Sequence, residues 1–250
     1  QQLVSRRMVV RRLVLRRRWV FRRRWIVGRR RRLGGMVMAN GNILTEEERA
    51  RVIGAIRTAE EKTAGEIYCV LARASDSYFF PAAFFVALSI LVVSLPAALF
   101  LHYRWISVNP QWFVAAQLAA LAMALLVLKF LPELRIYLVP RALRYRRAHD
   151  HALRQFLSHN IHLTRERTGA LIFVSLSERY AEVVADAGIN ARVPQERWNT
   201  AVEKLTAHAA AGNLADGFVE AIQLVGAELA AHFPPDAANP DEIDNHLAEI

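Results

Sequence analysis

Residues 78–101 read YFFPAAFFVALSILVVSLPAALFL, twenty-four residues without a charge. At about 1.5 Å of rise per residue, roughly twenty residues cross the hydrocarbon core of a bilayer, so this stretch spans one even when tilted. Pro81 falls in the first turn and Pro96 in the last third, where a kink is tolerated in lipid. A polar link, His102 to Gln111, leads to a second apolar run, Trp112 to Leu131. Only Gln117 and Lys129 interrupt that run, and a lysine near a span end reaches the interface with its amine. Paired core helices of a soluble protein would carry a polar stripe, and the first run has none. Residues 78–131 are therefore predicted to form a transmembrane helical hairpin.

The cations set its direction. The link carries Arg104 alone, whereas the chain leaving the second run carries Arg135, Arg141, Arg144, Arg146 and Arg147. The positive-inside bias puts that exit in the cytoplasm, and a two-span hairpin returns the preceding chain to the same side. Tyr78, Tyr103, Trp105, Trp112 and Tyr137 stand near the span ends, as interfacial aromatics do. Arg141, Arg144, Arg146 and Arg147 form a basic cluster at the membrane surface, with two roles open. Each cation contributes about 1 kcal/mol of attraction to anionic lipid, or the cluster serves topology alone.

On either side of the hairpin lie the pieces of one α/β domain, residues 39–77 and 132–234. Thr45 is an N-cap with Glu48 at the capping-box position, and Val52, Ile53, Ile56 and Ala59 give the following helix an apolar stripe. That helix is expected to close near Gly65 in the left-handed conformation. The run Glu66 to Ala72 reads as a strand. After the hairpin the order repeats, with a helix over about 141–160 and a strand over 170–176. A tight connection at Ser177-Glu178 leads to an antiparallel strand over 180–186. Two Ala-rich helices follow, over about 195–211 and 215–232, and an acidic tail over 235–250, expected to be extended, ends the chain. Neither half hides a sheet face alone, so strand 66–72 is predicted to pair with 170–176.

The net charge of +10 is unevenly spread. Residues 1–32 hold fourteen arginines and no acid, leaving nineteen Lys and Arg against twenty-three Asp and Glu elsewhere. The body is mildly acidic, and the basic character belongs to residues 1–38. A basic arm with Trp19 and Trp25 as anchors would bind phosphates or headgroups. A targeting peptide fits worse, because no uninterrupted apolar core separates the arginines. The reading adopted is an extension preceding a start at Met36 or Met38, which ranks nucleic acid last among the partners. The single cysteine, Cys69, forms no internal disulfide and reads as a small buried hydrophobe.

The segments Ala55 to Ile67, Arg167 to Ser175, Ala185 to Ile189 and His232-Phe233-Pro234 together resemble the TPM domain family, above all its bacterial membrane members with a helical hairpin inside the domain. The resemblance implies a small-sheet α/β sandwich interrupted by the two-helix transmembrane hairpin, located in the bacterial cytoplasmic (inner) membrane. For some members it implies acid phosphatase activity or binding of a divalent cation through acidic loop residues. Asp186, before Gly188, and Asp216, before Gly217, best match such positions and are the catalytic and metal candidates. A strand-end turn former and a helix-start residue are equally good readings of the two. Where many relatives place an Asp-rich turn, this chain has Arg167-Thr168-Gly169.

Other chemistry is sparse. The sequence has no Gly-rich phosphate loop, no Gly-x-Ser-x-Gly elbow and no paired-cysteine metal signature. His149 and His151 face apart on a helix, and His159 and His162 share a face only if helix continues through both. The expected function is that of a membrane-anchored, non-enzymatic accessory protein whose cytoplasmic-side domain binds a membrane or envelope protein. The alternative is a metal-assisted phosphatase.

Overall fold

The computed structural model describes residues 43–164, 166–235 and 247–250; the arginine-rich arm lies outside the described residues. Helix α1 (Glu46–Glu60) opens on Thr45, whose hydroxyl accepts from the Glu48 N–H while the Glu48 carboxylate accepts from the Thr45 N–H, the expected capping box. Its buried residues, Val52 and Ile56, belong to the stripe read from the sequence. The end differs from expectation. The helix stops at Glu60, and Gly65 does not take a positive φ. Gly65 instead sits in a close approach, since a Cβ there would lie 3.0 Å from the Leu229 side chain and 3.2 Å from the Thr168 carbonyl oxygen, tight contacts that the neighbours would have to relieve.

Strand β1 (Glu66–Ala72) leads to the hairpin, α2 (Phe79–Tyr103) and α3 (Pro110–Phe130). Both helices are long and apolar enough to cross a membrane, and in their most apolar windows 0% and 6% of residues are buried. A short helix α4 (Pro132–Leu138), not foreseen in the sequence, turns the chain into α5 (Arg141–Ser158). A 3-10 turn (Ile161–Leu163) then leads to β2 (Gly169–Ser175), β3 (Tyr180–Ala185) and the single turn α6 (Ala187–Asn190). The long helices α7 (Gln195–Ala211) and α8 (Leu214–His232) complete the domain, the former closed by Gly212 at φ 87°. A last strand, β4 (Leu247–Glu249), lies within the segment expected as an extended tail.

The four strands stand in the order β3-β2-β1-β4. β1 and β2 are parallel over their whole length, from Glu66 opposite Gly169 to Ala72 opposite Ser175, so the long-range pairing expected from the sequence is present. β4 runs parallel on the other side of β1, and β3 returns antiparallel beside β2. Every residue of β1 and β2 is buried. That explains their unbroken apolar reading, because both faces of the sheet are covered. Ile67, Cys69, Leu71, Ala170, Ile172 and Val174 face the larger core with α1, α7 and α8. Tyr68, Val70, Leu171 and Phe173 face Ala152 and Phe156 of α5. The result is an α/β/α sandwich. Tyr78, Ala82, Leu128 and Val139 form a third cluster, where both ends of the hairpin meet.

Candidate functional site

The carboxyl ends of parallel strands are where open α/β sheets expose backbone groups to ligands or to other elements. Here the ends of β1 and β2 meet a buried polar junction at the start of α2. Glu178, in the turn after β2 and only 2% exposed, accepts from the Ser75 N–H at 2.9 Å and from the Ser175 hydroxyl. Ser75 donates in turn to the Ser175 hydroxyl at 3.1 Å. The Tyr78 ring is buried close to Glu178 and Arg144, and its hydroxyl has no hydrogen bond of ordinary geometry. The next residue of this loop, Asp76, is ion-paired with Arg147 of α5 and accepts from the Tyr78 N–H at 3.3 Å. These contacts fasten the first membrane-length helix to two strands and to α5.

Beside the junction, the α5–β3 contact carries a second polar group. His149 donates through Nδ1 to Glu182 at 2.8 Å, and the Tyr180 hydroxyl donates to the same carboxylate at 2.7 Å. The hydrogen bond to Glu182 raises the His149 pKa above its ordinary value, outweighing burial. His151 behaves oppositely: burial beside Phe173 lowers its pKa, helped by the Arg154 charge. The Gln155 amide donates to His151 Nε2 at 3.0 Å, which leaves the proton of the neutral ring on Nδ1, buried without a partner. His159 caps α5 and stacks on Tyr68, whereas His162 lies in the 3-10 turn beside Phe156. The condition for that pair to share one helix face is not met.

The two acidic candidates are placed apart in function. Asp186 caps α6: its Oδ1 accepts from the Ala187 N–H at 2.6 Å and its own N–H donates to the Gly169 carbonyl at 3.0 Å. Its Oδ2 is buried with no partner among the described residues. Asp216, in the first turn of α8, is ion-paired with Arg51 of α1 at 2.9 Å with both side chains about half exposed. No hydrogen bond or ion pair among the described residues joins Asp186 to Asp216. Nor do the described residues contain a group of three or more His, Cys, Asp or Glu side chains able to hold a metal ion. One buried carboxylate oxygen, with no group of acids or histidines gathered beside it among the described residues, falls short of a divalent-cation site.

The basic cluster is divided between two environments. Arg147 is paired with Asp76, and Arg144 turns its Nε into the protein; Arg141 and Arg146 are exposed. Arg135 closes the hairpin. It donates to the Leu128 carbonyl at 2.8 Å and the Lys129 carbonyl at 3.1 Å, and its guanidinium lies 5.3 Å from the Phe79 ring centroid. It thereby caps the end of α3 and touches the start of α2. Of the junction residues, Ser75, Asp76, Ser175 and Glu178 are invisible to motif reading, because they come from two segments about a hundred residues apart, the loop after β1 and the end of β2 with its turn. The only sequence signal was a set of small polar and acidic residues at the ends of two apolar strands.

Residues 130–228 match the family model described as TPM domain. Those residues carry a TPM domain. The match begins at the last residue of α3 and runs into α8, and β1 joins that TPM domain by its pairing with β2. The NMR structure of BA42 protein from the psychrophilic bacterium Bizionia argentinensis has the same fold, with a TM-score of 0.52 at 20% identity. The similarity covers 84% of this chain and 97% of that one. No curated protein matches the chain.

Proposed function

We propose that this TPM-domain protein is anchored in the bacterial cytoplasmic membrane by α2 and α3, as a multi-pass, non-enzymatic accessory protein. Its domain lies on the cytoplasmic side and binds a membrane or envelope protein. The observation that carries the proposal is the exposure of two apolar helices of 25 and 21 residues whose inner ends pack against one another in one buried cluster at Tyr78, Ala82, Leu128 and Val139. In water such a surface would be an aggregation hazard; in lipid it is solvated. Arg104 at the loop, against the arginines from 135 to 147 at the base, supports the orientation.

Fractionation and labelling test it. The full chain is expected to remain in the pellet after alkaline carbonate extraction and to enter solution with detergent. A Trp105→Cys variant is expected to react with a membrane-impermeant maleimide added to spheroplasts, against a background of buried Cys69. A chain found in the supernatant without detergent, or a loop labelled only after the inner membrane is opened, refutes the reading. The protein-binding role predicts a membrane protein that crosslinks to the domain in intact cells and is lost with variants of the domain surface.

Metal-assisted phosphomonoester hydrolysis is the second reading, and the buried, unpartnered Oδ2 of Asp186 favours it. Turnover of a generic phosphomonoester by the detergent-purified chain with divalent cations, abolished in Asp186→Ala, would put it first.

A further inference from the structure

We infer that α4 and the first turns of α5 form an interfacial collar that binds anionic phospholipid headgroups, with Arg141 and Arg146 as the contacting cations. The inference rests on the membrane-anchored reading above. Helix α4 has seven residues, far too few to cross a bilayer, and it starts two residues after α3 ends. Leu134, Tyr137 and Leu138 on it are exposed, Tyr137 to 79%, and they continue the exposed apolar surface of Phe130 and Leu131. A short helix with such a surface at a span end is stable in the headgroup boundary, where leucine and tyrosine side chains enter the acyl region.

The arginines beside it are not equivalent. Arg135 is engaged with the carbonyls of α3, Arg147 with Asp76, and Arg144 is turned inward. Arg141 and Arg146 are exposed, and neither is ion-paired among the described residues. They lie about 8 Å apart along the helix axis and about 140° apart around it, so they flank the helix and reach separate headgroups on its two sides. Between Lys129 and Arg147 the only acid is Glu133, so the local charge is strongly positive. A cation near an anionic leaflet attracts its lipids on the order of fivefold per residue. The structure thus separates Arg135, Arg144 and Arg147, which are turned to the protein, from the exposed Arg141 and Arg146.

The test uses the full chain in bilayers of phosphatidylcholine and phosphatidylglycerol, with spin-labelled versions of each lipid reporting what the protein surface holds. Wild type is expected to prefer phosphatidylglycerol, and Arg141→Gln with Arg146→Gln to lower that preference about fivefold or more. Arg141→Lys with Arg146→Lys should retain it. Arg154→Gln, an exposed charge further along α5, should leave it unchanged. Millimolar inorganic phosphate should not displace the lipid. Absence of preference in wild type, retention in the double glutamine variant, equal loss in Arg154→Gln, or displacement by phosphate each overturns the collar. These results are distinct from failure of anchoring, in which the chain leaves the bilayer altogether.

Discussion

At the residue scale, the most consequential side chain is Glu178. A buried carboxylate held by a backbone N–H and a hydroxyl leaves those donors unsatisfied when it is removed. Glu178→Ala is therefore expected to destabilise the domain by about 2–3 kcal/mol, and Ser75→Ala, which keeps the backbone N–H, by about 1 kcal/mol. Thermal unfolding in detergent checks the order; equal effects would show that Glu178 is not the hub. His149 and His151 make a prediction of opposite slopes. The raised His149 pKa gives stability that is fully present below its ordinary value of 6.5 and is lost as pH rises through the folded-state value. The lowered His151 pKa means that the unfolded chain takes up a proton first as pH falls through 6.5, so stability is lost on the acid side. Melting temperatures between pH 5 and 8 should therefore flatten above 6.5 in Glu182→Gln and below 6.5 in His151→Gln.

Among the elements, β4 and the Gly169 end of β2 are the most exacting. Cys69 is fully buried opposite Leu247, and burial together with the Glu60 charge pushes its thiol pKa far up. Deleting residues 247–250 removes that cover, and the thiol is expected to react with a maleimide at least tenfold faster than in the full chain; an unchanged rate would mean that the other layers alone protect it. At Gly169 an added Cβ would overlap the Ile161 carbonyl oxygen, which is backbone and has little room to move. Gly169→Ala should cost about 1–3 kcal/mol, whereas Gly54→Ala, with open space around it, should be neutral or slightly stabilising. What was readable in the sequence follows the same physics. The α1 cap and the two apolar helices are local or periodic signals, and the long-range β1–β2 pairing follows from two apolar runs that neither half of the domain covers alone. Glu178 with Ser75 and Ser175, the partition of Arg144 and Arg147 from Arg141 and Arg146, and β4 were not readable. They depend on which turns meet in space, and a three-residue strand carries no period of its own.

For the molecule as a whole, the hairpin is an insertion whose two ends return to one place. Tyr78 and Val139 share a cluster, so a linker of about six Gly and Ser residues, reaching roughly 20 Å, should replace residues 79–138. The shortened chain is expected to be soluble without detergent and to keep the helix and sheet content of the sandwich. A product that is unfolded by circular dichroism would show that the spans are part of the fold rather than an addition to it. The polar junction and the arginines of α5 that pair or pack there lie at the end of the sheet from which the hairpin departs, so any membrane contact of the domain, as proposed, is local to that end.

The parallel pairing of β1 with β2 imposes an order on biogenesis. Ile67 waits for Ala170, about a hundred residues later in synthesis, with both membrane-length helices translated in between. Until then a strand built to be covered on both faces has left the ribosome with no partner. On the proposed membrane-anchored reading, lipid insertion precedes completion of the sheet, and a nascent chain stalled between the two apolar helices exposes an apolar strand without its partner.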